Sequence, residues 1–462
     1  MVMNSKPNII LIVIDAARAD HFSCYGYHKK TTPNIDRIAE ESVLYENAIS
    51  PAGWTLPAHT SMFTGTYVSK HGLHNENHIF NDKLPTLPEV LKREGYQTAG
   101  FCRNDWISDA TGLTRGFSEF HNILYGKFKH KLRRFENYFK IKGKDSWGYE
   151  INRQVKKWLS KNHSKAPFFM FVHYDELHLP YLIPSPYNNK FLPKGITYEN
   201  ARNINQNPKA YYAGVAKMGQ KEFETSKALY DCALAYQDTL IKQLYDFLKK
   251  IKKLDNTILM ITSDHGESLG DHNHFDHYYV LYDTLLKVPL IVRYPKLFTP
   301  GLREKSMVQT LDILPTLKEI LDLTDPELDV MQGISLPPVV NNKPARTFTI
   351  SERYQDLKGL KKSYSERDLS HLIKFERDRK IAIRTEKYKL IASSNYESEL
   401  YDLINDKNEE HNIINENKKI AEELQLKIDE WRKSFTPAEI DGSEADFDDA
   451  VRKRLESLGY LG

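Results

Sequence analysis

Cysteine is scarce in this chain. Its 462 residues include three, Cys24, Cys102 and Cys232. They are odd in number, widely spaced and without a Cys-x-x-Cys pair, which excludes a disulfide framework and a zinc–thiolate site. Long apolar runs are also missing. The first, Ile9 to Ile14, ends at Asp15. It is far too short for the hydrophobic region of a secretory leader or for a bilayer-spanning helix, which needs about 20 residues, and no later run reaches that length. Charge of one sign is absent too. The 65 Lys and Arg nearly balance 62 Asp and Glu, leaving +3, so the overall balance calls for neither nucleic acid nor a membrane. No internal repeat is visible. The expectation is a soluble cytoplasmic protein with no nucleic-acid partner. Its length and 40% hydrophobic content suffice for more than one domain with a sizeable core.

What is present alternates. Asn8–Asp15, Gln97–Cys102, Pro167–His173, Asn256–Ser263 and Pro289–Val292 are short apolar segments, several rich in β-branched residues, and read as buried strands. Val43–Ala48 reads as a further strand. Helical patterns lie between them at Thr32–Glu41, Leu87–Glu94, Leu229–Ile251 and Asp312–Leu321. In the third, Ala233, Tyr236, Leu240, Leu244, Phe247, Leu248 and Ile251 share one face. Gly95 is a good stop for the second. After about residue 345 the pattern changes to separate strands at Thr347–Ile350, Lys380–Arg384 and Lys387–Ala392. A turn-like Glu399–Leu403 and a Lys/Glu-rich helix over Asn417–Phe435 follow. The domains expected are an α/β catalytic unit over 1–345, a small α+β unit over 346–437, and an acidic linker with a docking tail, Leu455–Leu461, over 438–462.

Two segments interrupt this scheme. Tyr187–Phe223 is polar with few periodic apolar positions and reads as an insertion or lid. Lys127–Lys144 holds eight Lys or Arg and one acid, Glu136, interleaved with Phe128, Phe135, Tyr138 and Phe139. It can be a surface for anionic substrates or lipid head groups, giving peripheral membrane contact. The plainer reading, a solvated helix face with its aromatic stripe packed inward, is preferred.

The chemistry-bearing residues gather where strands end. Asp15 closes the first strand. Thr55 opens Thr55-Leu56-Pro57-Ala58-His59 in the loop after the second. Asp264-His265 follows the strand Asn256–Ser263. Ligands in such sheets bind beyond the carboxyl ends of the strands. Thr55 also suits a helix N-cap, with Pro57 in the first turn. Two carboxylates, an imidazole and a hydroxyl suit one divalent cation with mixed oxygen and nitrogen ligands. Coordination would activate Thr55, otherwise a weak nucleophile. His59, Arg103, His173, His178 and His277 are then candidate donors to a tetrahedral anion.

These residues carry a resemblance. Pro7-Asn8-Ile9 through Asp15 with Arg18-Ala19-Asp20, Thr55 to Phe63-Thr64-Gly65, Phe171-Val172-His173 to His178-Leu179-Pro180-Tyr181, and Thr262-Ser263-Asp264-His265-Gly266-Glu267 with His277 resemble the motifs of the sulfatase family within the alkaline phosphatase superfamily. The similarity runs on through Arg384-Thr385, Tyr388-Lys389-Leu390 and Leu458-Gly459-Tyr460-Leu461. It implies an alkaline-phosphatase-like, mixed and mostly parallel sheet flanked by helices, with a smaller C-terminal α+β domain. The departures are informative. Sulfatases of this family have a Cys or Ser where this chain has Thr55, which an enzyme oxidises to formylglycine, and threonine cannot be so converted. Their usual Arg is His59 here, and their paired first-strand aspartates are Asp15 followed by Ala16.

Thr at the nucleophile position resembles the superfamily's phosphodiesterases, phosphonate hydrolases and phosphoglycerol or phosphoethanolamine transferases. The resemblance therefore implies a metal-dependent hydrolase or transferase of phosphate mono- or diesters, working through a phospho-threonine at Thr55. Asp15, Thr55, Asp264 and His265 would hold one manganese, zinc or calcium ion, with manganese or zinc favoured. His59, His178 and His277 would be catalytic, and Arg103 and His173 would bind substrate. A second metal at Asp175, His178 and His277 is the two-ion variant. The alternatives are a sulfuric ester hydrolase lacking formylglycine and a non-catalytic anion-binding protein. The expected substrate is a small-molecule, lipid or glycan ester.

Overall fold

The computed structural model describes residues 6–74, 79–80, 84–123, 147–337, 346–355, 357–438, 446–449 and 451–452. Among the described residues, fifteen strands run in chain order. They are β1 Asn8–Ile14, β2 Val43–Ile49, β3 Gln97–Cys102, β4 Glu119–Asn122, β5 Phe168–Tyr174, β6 Thr257–Thr262, β7 Ser268–Leu269, β8 Phe275–Asp276, β9 Lys287–Val288, β10 Leu290–Arg293, β11 Arg303–Gln309, β12 Thr349–Gln355, β13 Asp378–Arg384, β14 Tyr388–Ser393 and β15 Glu399–Asp402. The main sheet has the order β11-β2-β10-β6-β1-β5-β3-β4, with β9 added to β2. β1 is central. Leu11 pairs with Phe171 of β5 on one side and Met260 of β6 on the other, both in parallel register. β10 runs antiparallel to both its neighbours, β6 and β2.

The continuous apolar run of β1 follows from burial on both faces. Ile10, Ile12 and Ile14 face a core built with the helices Pro33–Glu40, Trp147–Asn162 and Gln220–Lys250. Ile9, Leu11 and Val13 face a second core formed with Leu56, Met62 and Phe63 of the helix Thr55–Thr64 and with Ile313, Leu314 and Leu317 of the helix Ile313–Ile320. Each such side chain contributes about 1.5–3 kcal/mol when fully buried. With both faces covered, the strand ends are where polar groups can gather.

The second sheet, β12-β13-β14-β15, is antiparallel. Ile350, Ile381, Ile383, Leu390 and Leu400 pack on Leu424, Ile428 and Trp431 of the helix Lys418–Lys433. It is fastened to the first unit just before Thr55. Ser351 Oγ donates to the Ser50 carbonyl at 2.6 Å, and the Glu352 amide donates to the Pro51 carbonyl at 2.9 Å.

Several expectations need correction. Glu399–Asp402 is a strand rather than a turn, paired with Tyr388–Ile391. The long helix starts at Gln220, not Leu229. β4 and β11 carry no apolar alternation strong enough to be read from sequence. Tyr187–Phe223, expected to be an insertion or lid, has structure of its own. It holds the short helices Tyr198–Arg202 and Pro208–Tyr212 and packs Tyr187, Phe191, Leu192 and Tyr198 against the first core. Lys127–Lys144 and Leu455–Leu461 lie outside the described residues, as does most of the acidic linker. Among the described residues, no helix is long and apolar enough to cross a membrane.

Candidate active site

The carboxyl ends of β1, β5 and β6 deliver the site. Asp15 follows β1, and its amide donates to the Tyr174 carbonyl at 2.8 Å. The next residue, Ala16, has φ of 59°, a left-handed conformation that costs a non-glycine residue about 1–2 kcal/mol. The turn brings the Ala16 amide within 3.3 Å of Asp264 Oδ1, beyond β6. Gly266 lets the Asp264–His265 loop lie against its neighbour, because a Cβ there would stand 2.0 Å from the Thr284 carbonyl oxygen.

Thr55 is the first residue of its helix, with Trp54 in the cap position. The N-cap reading of Thr55 is therefore corrected: its hydroxyl is turned to His265 Nε2 at 3.3 Å. His265 Nδ1 lies 2.8 Å from the Gly266 carbonyl, to which it must donate. That bond leaves Nε2 with its lone pair in a neutral ring. Burial favours the neutral form, with the pKa lowered to about 3. The lone pair faces Asp15 Oδ1 and Asp264 Oδ2, each 3.5 Å away. Both carboxylate oxygens are fully buried without a hydrogen-bond partner. Burial, and the charge of Asp264 beside it, hold the Asp15 carboxyl well above its usual range. Two desolvated carboxylate oxygens and an imidazole lone pair directed at one point repel one another unless a proton or a cation lies between them, while the Thr55 hydroxyl can donate to that lone pair. The residues thus fit a divalent ion.

His59 and His173 are seated behind these carboxylates. His59 Nδ1 bonds the Thr55 carbonyl at 2.8 Å and stands 3.5 Å from Asp264 Oδ2. His173 Nε2 is 3.5 Å from Asp15 Oδ2, and both rings are fully buried. Asn104, just past β3, donates to Asp15 Oδ2 at 2.8 Å. A second group, His178, Asp276 and His277, converges alongside. His277 Nδ1 pairs with Asp276, and its ring lies 4.6 Å from His265 and 5.3 Å from His178, centre to centre.

A model of the sulfatase family matches residues 7–323, and one of the N-sulphoglucosamine sulphohydrolase C-terminal region matches 270–434. The chain belongs to the sulfatase family. It is similar to an N-acetylglucosamine-6-O-sulfatase of Bacteroides thetaiotaomicron, 26% identical over 459 residues and covering 84% of this chain and 78% of that protein. An arylsulfatase of Clostridium perfringens is 25% identical over 388 residues, 73% of this chain and 79% of that one. The solved phosphonate monoester hydrolase of Agrobacterium radiobacter shares the fold, with a TM-score of 0.73 at 20% identity over 93% of this chain and 96% of that one. The architecture is thus that of a sulfatase-family ester hydrolase of the alkaline phosphatase fold, whose members typically use a divalent metal.

Within this sulfatase-family site, Asp15, Thr55, Asp264 and His265 come together as one set. His59 and His173, read from sequence as anion donors, lie against the same carboxylates, and with Asp264 they form a further group whose ligand atoms converge as a metal site's would. Arg103 lies at the rim, 2.9 Å from Asp175 and over the Trp147 ring at 5.2 Å. Asp175 is thereby engaged, and Asp276 takes the place beside His178 and His277 expected of it. Asn104, Asp276 and Glu267 were not singled out as site residues. Glu267 is fully buried, its carboxyl pushed well above the usual range by burial and by neighbouring Asp276. Its position two residues past His265 was the available signal.

Proposed function

We propose that this sulfatase-family enzyme is a metal-dependent hydrolase or transferase of phosphate esters, and that Thr55 is the nucleophile which carries the phosphoryl group. The observation behind the reading is the Thr55 hydroxyl, 3.3 Å from His265 Nε2 and at the first position of a ten-residue helix, where an anion is stabilised. Asp15, Asp264, His265 and Thr55 would hold the cation. When bound it would act as a Lewis acid, lowering the pKa of the Thr55 hydroxyl and neutralising charge that develops on the ester oxygens. The His265 nitrogen favours manganese or zinc over calcium.

Thr55 Oγ then attacks phosphorus in line and the bond to the alcohol breaks on the far side. His178 and His277 flank His265, where they can bind the anion and return a proton to the departing oxygen. Water or a second alcohol would resolve the phospho-threonine. Asp276 with His178 and His277 suits a second nitrogen-favouring ion, and metal content per chain separates the one-ion and two-ion forms.

The second reading is sulfuric ester hydrolysis without formylglycine, favoured by relatives named as sulfatases. One aryl alcohol presented as phosphate monoester, phosphate diester and sulfate, with manganese, zinc or calcium restored to stripped protein, distinguishes the two. Phosphate ester turnover that Thr55→Ala abolishes is expected. Dominant sulfate turnover, or full activity in the variant, would overturn the phospho-threonine reading.

A further inference from the structure

The end of the main sheet opposite the candidate active site is strongly basic. β1, β5 and β6 start there, at Asn8, Phe168 and Thr257. The seven residues of β1, at about 3.3 Å each, separate this end from the Asp15 loop by about 20 Å. The helices Trp147–Asn162 and Gln220–Lys250 lead into β5 and β6, so both end beside these strand starts. Lys161 is in the last turn of the first helix and Lys165 follows it. Lys249 and Lys250 are in the last turn of the second, followed by Lys252 and Lys253. Lys253 is half-buried and the others are exposed.

The chain just past both helices lines an open recess of about 510 Å³, with Asn8, Glu94, His163, Ser164, Lys253 and Asn256 among its walls. Glu94 is already paired with Lys6 at 2.8 Å, and the adjoining Asp255 with Arg293 at 2.9 Å. Among the described residues, Lys161, Lys165, Lys249, Lys250, Lys252 and Lys253 enter no salt bridge. A lysine in a last helical turn is ordinary, because a helix C-terminus carries about half a negative charge. Two such ends supply about −1 between them, which leaves most of this positive charge unmatched.

We propose that this end of the protein binds an anionic polysaccharide, a chain of sugars bearing sulfate, phosphate or carboxylate groups, at a surface separate from the catalytic site. Dispersed cations suit a polymer better than a single anion. One exposed ion pair contributes little and is screened by salt, whereas a polyanion engages several at once and releases its counterions. The recess favours sugars over a bilayer. Membrane surfaces combine cations with apolar or aromatic side chains, and the walls here are mainly polar. His163 Nδ1 donates to the Leu159 carbonyl at 2.6 Å, which leaves Nε2 for a sugar hydroxyl. Ser164 adds an exposed hydroxyl. The surface would hold the enzyme on a polymer while the opposite end meets the ester, whichever ester Thr55 cleaves.

The test uses full-length protein and needs no turnover. Binding of fluorescein-labelled chondroitin sulfate and of uncharged dextran is followed by anisotropy in about 50 mM salt. Chondroitin sulfate should bind and dextran should not. Affinity should fall about 30-fold or more in a variant carrying Lys249→Glu, Lys250→Glu, Lys252→Glu and Lys253→Glu. Unchanged affinity in that variant, or no binding by wild type, would overturn the proposal. Should circular dichroism show that the variant does not fold, Lys161→Glu with Lys165→Glu takes its place. A loss of about fivefold or more is then expected, and an unchanged affinity is equally fatal.

Two comparisons locate the binding and identify its partner. Lys127–Lys144 is a second basic stretch of the chain. Lys127→Glu, Lys129→Glu and Lys131→Glu together should weaken binding less than the four changes past the long helix. The reverse order would place the polysaccharide on that stretch and reject the surface described above. Vesicles containing phosphatidylserine, at the same concentration of anionic groups, should bind more weakly than chondroitin sulfate. Tighter vesicle binding that is lost in the four-lysine variant would make this a membrane-facing surface and overturn the polysaccharide assignment.

Discussion

Two buried charge clusters in this protein are built on opposite plans. Where the C-terminal sheet meets the first unit, Lys389 is fully buried between Asp283, 2.9 Å away, and Glu409, 2.7 Å away, while Arg384 reaches Asp283 at 3.2 Å. Cations and anions alternate there, so each desolvated charge has a partner. At the carboxyl ends of β1 and β6, Asp15 and Asp264 are equally buried, but the side chains they face are neutral imidazoles, an amide and a hydroxyl. Asp15 Oδ1 and Asp264 Oδ2 have no hydrogen-bond partner. The first cluster holds the fold together. The second is electrostatically incomplete, and under the proposed function a cation would complete it, which is how a functional site differs from a structural ion pair of the same composition.

The largest expected effect tests the incomplete cluster. Asp264→Asn should lower kcat/KM about a thousandfold or more, equivalent to about 4 kcal/mol. In chelator-treated protein, however, Asp15→Asn should unfold no sooner than wild type by thermal denaturation, because it removes one of two like charges. A large loss of stability in the stripped Asp15→Asn protein would mean that the carboxylates are structural. The complete cluster should behave in the opposite way. Lys389→Met leaves Asp283 and Glu409 buried without their cation and should cost about 3–5 kcal/mol in chemical denaturation. A loss under 1 kcal/mol would erase the distinction between the clusters.

The sheet and the convergence of Asp15, Asp264 and His265 were readable in sequence for one physical reason. Strands buried on both faces must be apolar throughout, so β1, β5 and β6 stand out as runs, and a carboxylate just past such a run marks the site edge. Asp15, Asp264 and His265 were found in that way. Asp276 was not, because it sits in the two-residue strand β8 with φ of 68°, a geometry fixed by the surrounding packing. β15 was read as a turn because Glu399 and Asp402 are poor strand formers, and its pairing with β14 overrides them. The polar first turns of the helix Gln220–Lys250 carry no apolar stripe, so its start was read nine residues late. The approach of Arg353, whose guanidinium donates to the Gly53 carbonyl at 3.2 Å, depends on how β12 docks, which no local pattern encodes.

Metal restoration is the next effect in size. A divalent ion held by Asp15, Thr55, Asp264 and His265 should stabilise the folded protein by about 3 kcal/mol at a hundredfold excess over its Kd. The rise in melting temperature should be lost in Asp264→Ala but kept in Lys389→Met once each is compared with its own stripped form. Equal rises in both variants would place the ion elsewhere.

The smallest effect applies the same contrast to histidines. His71 lies outside the site with both ring nitrogens engaged: Nε2 is 3.0 Å from Ser61 Oγ, and Nδ1 accepts the Leu73 amide at 3.1 Å. Its ring is therefore neutral, and neither nitrogen faces a carboxylate, whereas His265 Nε2 lies 3.5 Å from both Asp15 and Asp264. Burial lowers the His71 pKa to about 3, against about 6.5 in the unfolded chain. Between those values the unfolded chain binds a proton that the folded one does not. Stability therefore falls as pH drops below about 6.5, by about 2 kcal/mol between pH 7 and pH 5. In His71→Gln, the unfolding free energies at pH 7 and 5 should lie closer together than in wild type by about 2 kcal/mol, with or without metal. An unchanged gap would mean that His71 is protonated in the folded protein, and that its two bonds do not fix a neutral ring.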